Sequence, residues 1–292
     1  MHRIDTSTAQ VDKFGAGKNG FTGGNPQTGE LPTALDQDFF DSVQEELCNL
    51  IEQAGLTLQK GKRTQLAEAI QKLFSSGRLL RIVDFSASGS YVPGAGTKFI
   101  IVEVTGGGGG GGASNSTGAT SVSVGAGGGA GGTAISKLNI SDITTPVSVM
   151  VGNGGAAANS SNIATSGGQS SFGSYLSATG GDFGVSGTTI TQGDTAMVYN
   201  GGGGQGVNGN LDNMIGGSGG FGIILKYGYE SGWGGRSYYS SGGNPIVTLG
   251  TPNPGFPGRK GSGGSGGFGA NNSPVQNGGA GGSGFVRIWE YA

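Results

Sequence analysis

The chain has 292 residues, enough for two ordinary domains, with a formal net charge of -2, 34% hydrophobic residues, 68 glycines, one cysteine and one histidine. That near-neutral balance gives no electrostatic footprint for nucleic acid or an anionic membrane. No apolar run reaches the roughly 18 residues of a transmembrane helix, and the lone Cys48 rules out an internal disulfide framework.

Composition breaks near residue 80. Only nine of the 68 glycines precede it, together with 8 of the 16 Lys/Arg and 10 of the 18 Asp/Glu. Residues 1–80 therefore read as a charged, helix-capable head, and residues 81–292 as a glycine-rich, nearly uncharged body. The opening "MHRIDTSTAQVDKFGAGKNG" lacks the apolar core of a secretory signal. The first 35 residues, punctuated by glycine and proline, predict turns and extended segments without a core of their own.

Two helices follow, at about 37–54 and 65–76. In the first, Phe40, Val43, Leu47, Leu50 and Ile51 recur at three- and four-residue steps. Asp36 and Asp38 suit its start and Gly55 its end. In the second, Thr64 is the expected cap, and Leu66, Ile70 and Leu73 form the apolar face with Phe74. Helices this short bury little between them, so their stripes are expected to meet copies of themselves or another protein. Cys48 reads as a small buried hydrophobe, since no base adjoins it.

The body alternates short Val-, Ile- and Thr-rich segments with glycine clusters at 106–112, 127–129, 201–204, 216–220 and 278–282. Segments such as 98–104, 120–125, 133–140, 146–152, 170–180, 195–200, 222–229, 245–250 and 284–292 carry strand signals. The chain is thus expected to be mainly β, with a glycine-rich, β-sandwich-like domain after the small helical head. Its glycine tracts either pack as polyproline-II helices or link strands as loops. The last strand is expected to pair with the strand at 98–104.

Catalytic and metal patterns are missing. His2 is the only histidine, no Cys/His set has zinc spacing, and "GAGKNG" at 15–20 lacks the rest of a phosphate loop. No cofactor motif is present. Asp182 with Asp194 is the one carboxylate pair that a glycan hydrolase reading could use. The positive signal is aromatic: "YGYESGWGGRSYYSSGG" offers Tyr227, Tyr229, Trp233, Arg236, Tyr238 and Tyr239 as a candidate contact surface among small polar residues. Trp233, Tyr238 and Tyr239 are expected at the surface, with Tyr199 and Phe221 as further candidates.

The elements "DKFGAGKNGFT", "GNPQTG", "VQEELC" and "QLAEAI", in that order, resemble the N-terminal region of tail fibre proteins of tailed bacteriophages and related prophages. The body, with "VEVTGGGGGGG", "SSFGSYLSATGG" and "GGAGGSGFVRIWEYA", resembles the glycine-rich domain at the receptor-binding ends of such fibres. The resemblance implies a homotrimeric virion component exposed outside the cell on the particle, made in the bacterial cytoplasm, and not an enzyme. Its N-terminal part would join the tail or baseplate, and its distal part would bind a bacterial surface receptor, a glycan or an outer-membrane protein. Alternatives are a structural connector and a surface-polysaccharide depolymerase. Bacteriocin-type particles use similar proteins.

Overall fold

The computed structural model describes residues 2–74, 77–248 and 250–292. Two compact units divide at Arg78/Leu79. In the first, α1 spans Gln37–Gln53 and α2 spans Gln65–Phe74. The Asp36 carboxylate accepts from the Asp38 N–H at the start of α1, and Gly55 ends it at φ 67. The expected extension of α2 through residues 75 and 76 lies outside the described residues. Ile51, Ala54 and Ala69 form the buried contact, flanked by Leu56, Leu66 and Leu73. Phe40, Leu47, Ile70 and Phe74 stay exposed on the remaining stripe.

The first 35 residues are turns, as read, and they pack against α1 rather than around a core of their own. Ile4 is buried, and the Phe21 ring meets Phe39 of α1 edge-on at 5.4 Å. The sequence reading missed this because Phe39 lies off the periodic stripe and its partners are distant in sequence. The "GAGKNG" stretch is a turn in which the Asp12 carboxylate accepts from the Gly17 N–H at 2.6 Å.

The second unit carries β1 Leu79–Phe85, β2 Gly89–Tyr91, β3 Phe99–Thr105, β4 Ser121–Val124, β5 Thr133–Asn139, β6 Val147–Met150, β7 Ser170–Phe172, β8 Leu176–Ala178, β9 Ile190–Thr191, β10 Ala196–Val198, β11 Gly206–Val207, β12 Asp212–Met214, β13 Gly222–Leu225, β14 Gly228–Glu230, β15 Val247–Thr248, β16 Phe268–Ala270 and β17 Phe285–Tyr291. In place of one sandwich they build four open antiparallel sheets: β1-β17-β3-β5-β12, β11-β8-β7-β6-β2, β10-β13-β14-β15 and β16-β4-β9. β17 pairs with β3 along its whole length, from Phe285↔Thr105 to Tyr291↔Phe99. Two segments read as single strands, 170–180 and 222–229, are hairpins. Gly173 at φ 52 turns the first, and Lys226 and Tyr227 turn the second.

The first two sheets share one core, with Tyr91, Ile100, Val102, Phe172 and Ile288. The last two share another, with Val122, Val124, Ile224, Ile246 and Phe268. Glycine tracts connect these two cores, and their hydrogen bonds have a fixed rhythm. Gly106, Gly109 and Gly112 donate to Gly132, Gly129 and Ala126; Gly107 and Gly110 to Gly168 and Thr165; Gly108 and Gly111 to Gly282 and Gly279. Partners recur at every third residue, the period of a polyproline-II helix, which has no internal hydrogen bonds and so turns every N–H outward.

The carbonyls of the same tract accept in the same rhythm from 155 and 158, from 181 and 184, and from 264 and 267, and Gly187 continues the second row by donating to Ala113. Tract 106–112 thus has six neighbours and is wholly buried. Tract 125–132 also has six, donating to 261–267, 179–185 and 217–220 and accepting from 106–112, 201–204 and 232–235. Two adjacent tracts with complete shells define a close-packed bundle, and no side chain larger than the methyls of Ala126 and Ala130 stands on these two central tracts. A Cβ added at any glycine from 106 to 112 would enter the 3.0 Å around a neighbouring carbonyl that real Cβ atoms do not enter.

Candidate functional site

The bundle fixes two ends. At one, Gly106, Gly132 and Gly168 run into β3, β5 and β7, and Gly261 turns beside them, accepting from Gly131. At the other, Gly112, Ala126, Val185 and Gly267 are neighbours, and six loops emerge among the described residues: 114–120, 159–163, 187–195 around the short β9, 226–227, 250–253 and 271–274. These loops are rich in Ser, Thr, Asn and Gly and mostly exposed. Some are braced against each other, as where the Gln192 amide donates to Asn271 at 2.7 Å and the Thr117 N–H donates to Ser273.

The predicted aromatic residues do not form one cluster. Tyr227 stands on the loop end, 82% exposed, with the Lys226 ammonium 5.3 Å from its ring. Tyr229 instead packs inward, stacked on Phe268 at 5.9 Å. Trp233 and Arg236 follow on the tract at 232–236. Gly232 and Gly235 donate to Gly125 and Gly128, while Gly234 donates to Gly243, so the third face carries the two exposed side chains. The indole of Trp233 lies over Gly220, where a Cβ would strike its ring.

Tyr238 and Tyr239 lie at the opposite end, by the β1-β17-β3 sheet. Tyr238 is exposed, but Tyr239 is anchored, which corrects the expectation for it. Its hydroxyl donates to the Glu103 carboxylate and its ring meets Phe285 edge-on at 5.0 Å. Arg287, held by two 2.7 Å bonds to Asp84, lies 5.6 Å from the same ring. Burial first, then the bond to Glu103, pushes the Tyr239 phenol well above its usual range. Tyr239→Ala is therefore expected to lower stability by about 2 kcal/mol, leaving Glu103 without its donor. Tyr227→Ala should leave thermal melting unchanged; equal losses would show Tyr227 to be structural.

Tyr199 and Phe221 meet edge-on at 6.5 Å beside β10 and β13, both exposed. Asp182 lies mid-bundle, its carbonyl accepting from Gly129, while Asp194 sits in the loop before β10, so the two do not face one substrate. In the first unit His2, Asp5 and Asp36 gather ligand atoms within 4.8 Å, a cluster the sequence did not announce. Beside it a cleft of about 460 Å³ is lined by His2, Ile4, Phe14, Phe21 and Phe39 among others. Val43, Leu50, Leu66 and Leu73 are half-buried in the helical pair. No described helix is long and apolar enough to cross a membrane. Among the described residues no side chains form a catalytic constellation.

Residues 86–291 match the family profile described as a glycine-rich domain. A curated relative, the uncharacterized protein StfP of Escherichia coli (strain K12), is 62% identical over 76 residues, which are 26% of this chain. The match spans 36% of the length of that relative.

Proposed function

For a chain that belongs to the glycine-rich domain family, we propose the role of a tail fibre on a phage or phage-tail-like particle, with residues 1–80 joining it to the tail or baseplate and the glycine-rich domain, residues 81–292, binding a bacterial surface receptor. An attachment-type protein bearing such a domain agrees with both comparisons. The observation that carries the receptor-binding role is the bundle's polarity. Its tracts hold the six polar loops and Tyr227 at the end away from the sheets where the domain begins at Leu79. A rigid scaffold that presents variable loops is how contact residues are commonly positioned.

The fibre acts as a homotrimer in this reading, and the exposed stripe of Phe40, Leu47 and Ile70 supports contact with copies or with the tail. Three linked tips raise a weak individual contact by roughly 10²–10⁴ where geometry permits, so an uncharged surface suffices. The tests use the purified full chain. It should bind susceptible cells and not resistant ones, have a trimer's mass, and release no reducing ends from surface polysaccharide. Equal binding to both kinds of cell, or none, sinks the receptor role and leaves a connector; released reducing ends would mean a depolymerase.

A further inference from the structure

The four-stranded sheet β10-β13-β14-β15 buries one face and leaves the other open. Ile224 and Tyr229 point into the second core. The alternate positions form a cross-strand row by register, Met197↔Ile223↔Glu230↔Val247. Met197 is 55% exposed and Val247 72%. Leu225 extends this face along its own strand, and Tyr199 and Phe221 continue it past the strand ends, with Trp233 beyond Phe221. A patch of this kind, apolar and contiguous over several strands, exceeds the scattered apolar exposure of ordinary surfaces and marks an interaction site.

One charge lies inside it. Glu230 is half-buried between Ile223 and Val247, and among the described residues no Lys or Arg pairs with it. Covering this carboxylate with apolar groups alone would strand it away from water, so its occupant must bring a cation.

That requirement sorts the candidates. A second copy docked by the same face would set Glu230 against Glu230, and a heterologous contact within a trimer would change the oligomeric mass when this face is altered, an outcome the test below reads. A lipid surface calls for a cluster of Lys and Arg around the apolar residues, whereas the four strands carry none and their surroundings offer Lys226 in the β13–β14 turn and Arg236 beyond Trp233. A glycan needs several hydrogen-bonding side chains beside its stacking rings, whereas this row offers one acid among Met, Ile and Val. We propose that the outer face of β10-β13-β14-β15 docks an apolar protein surface carrying one Arg or Lys opposite Glu230, so that the receptor is a bacterial surface protein. This rests on the receptor-binding reading above.

The test titrates the labelled full chain onto intact cells of a strain panel that includes Escherichia coli. Cells are used untreated, after surface proteolysis, and after periodate oxidation of their glycans. Proteolysis should abolish binding and periodate should leave it. Leu225→Thr with Val247→Thr should weaken it at least about tenfold, and Glu230→Gln by about tenfold, with melting temperature and oligomeric mass unchanged. Binding that survives proteolysis but not periodate overturns the protein partner and leaves the receptor reading intact. Full binding by the Thr variants, or a change in their oligomeric mass, overturns the docking face. A wild-type chain that binds no strain removes the receptor reading and this inference together.

Discussion

Replacing Gly109 by alanine should destabilise the glycine-rich unit by about 3 kcal/mol or more, the upper range of overpacking costs. The new Cβ would enter the carbonyl of Asp182, which is backbone and cannot swing aside as a side-chain tip could. Gly109 also donates to Gly129 and its carbonyl accepts from Gly264, so a local shift breaks bonds to two further tracts. Gly228→Ala is the matched comparison. Nothing lies within 4 Å of a Cβ there and its φ is not left-handed, so alanine should leave stability unchanged or raise it by up to about 1 kcal/mol. Denaturant melts of the two variants decide the matter. Similar small effects would mean that tract 106–112 is a tolerant linker and that its bonding rhythm is not what holds the unit together.

That contrast also explains how much was legible in the sequence. Helix α1 announces itself because side chains mark its 3.6-residue period and because Asp36 and Gly55 bound it. Strands β3 and β17 are readable for the same reason, being long and apolar. A tract such as 106–112 has no side chains to display its period of three, and its partners lie 14 to 174 residues away, at Ala126 to Gly282. Only where the outer face is free, as at Trp233 and Arg236, does the spacing leave a mark.

The same geometry undid the aromatic cluster. The chain from Tyr229 to Tyr239 includes an extended tract, and ten residues at about 3.1 Å each span roughly 30 Å. Density in sequence became separation in space, with Tyr229 in one core and Tyr239 against the other pair of sheets. Conversely, the apolar face of β10-β13-β14-β15 could not be seen in the sequence. Met197, Ile223 and Val247 come from three distant segments, and 222–229 gave no sign of turning back at Lys226.

Glu290→Ala should cost about 3 kcal/mol, the low end for breaking a buried pair, because Arg81 keeps half its side chain in water. Glu290 is fully buried, yet it accepts from Arg81 at 2.7 and 2.8 Å, from the Tyr91 hydroxyl at 2.8 Å, from Thr97 at 3.2 Å and from the Gly94 N–H. Burial pushes its carboxyl up, but these bonds outweigh it and hold the group below the usual range. A carboxyl depressed in the fold stabilises it above the unfolded value near pH 4.3, and this contribution is lost as the pH falls through the lower folded value. The wild type should therefore lose stability steeply below about pH 4, and Glu290→Gln should flatten part of that limb while lowering stability at pH 7. The loss reaches beyond one pair. Arg81 lies on β1, Tyr91 on β2 of the facing sheet, and Gly94 and Thr97 on the approach to β3, so one carboxylate ties both sheets to the strand where the unit begins. If that coupling is real, Tyr91→Phe added to Glu290→Gln will cost much less than the sum of the two single losses. Additive losses would mean that the bonds act separately and that β1 is held by its ladder to β17 alone.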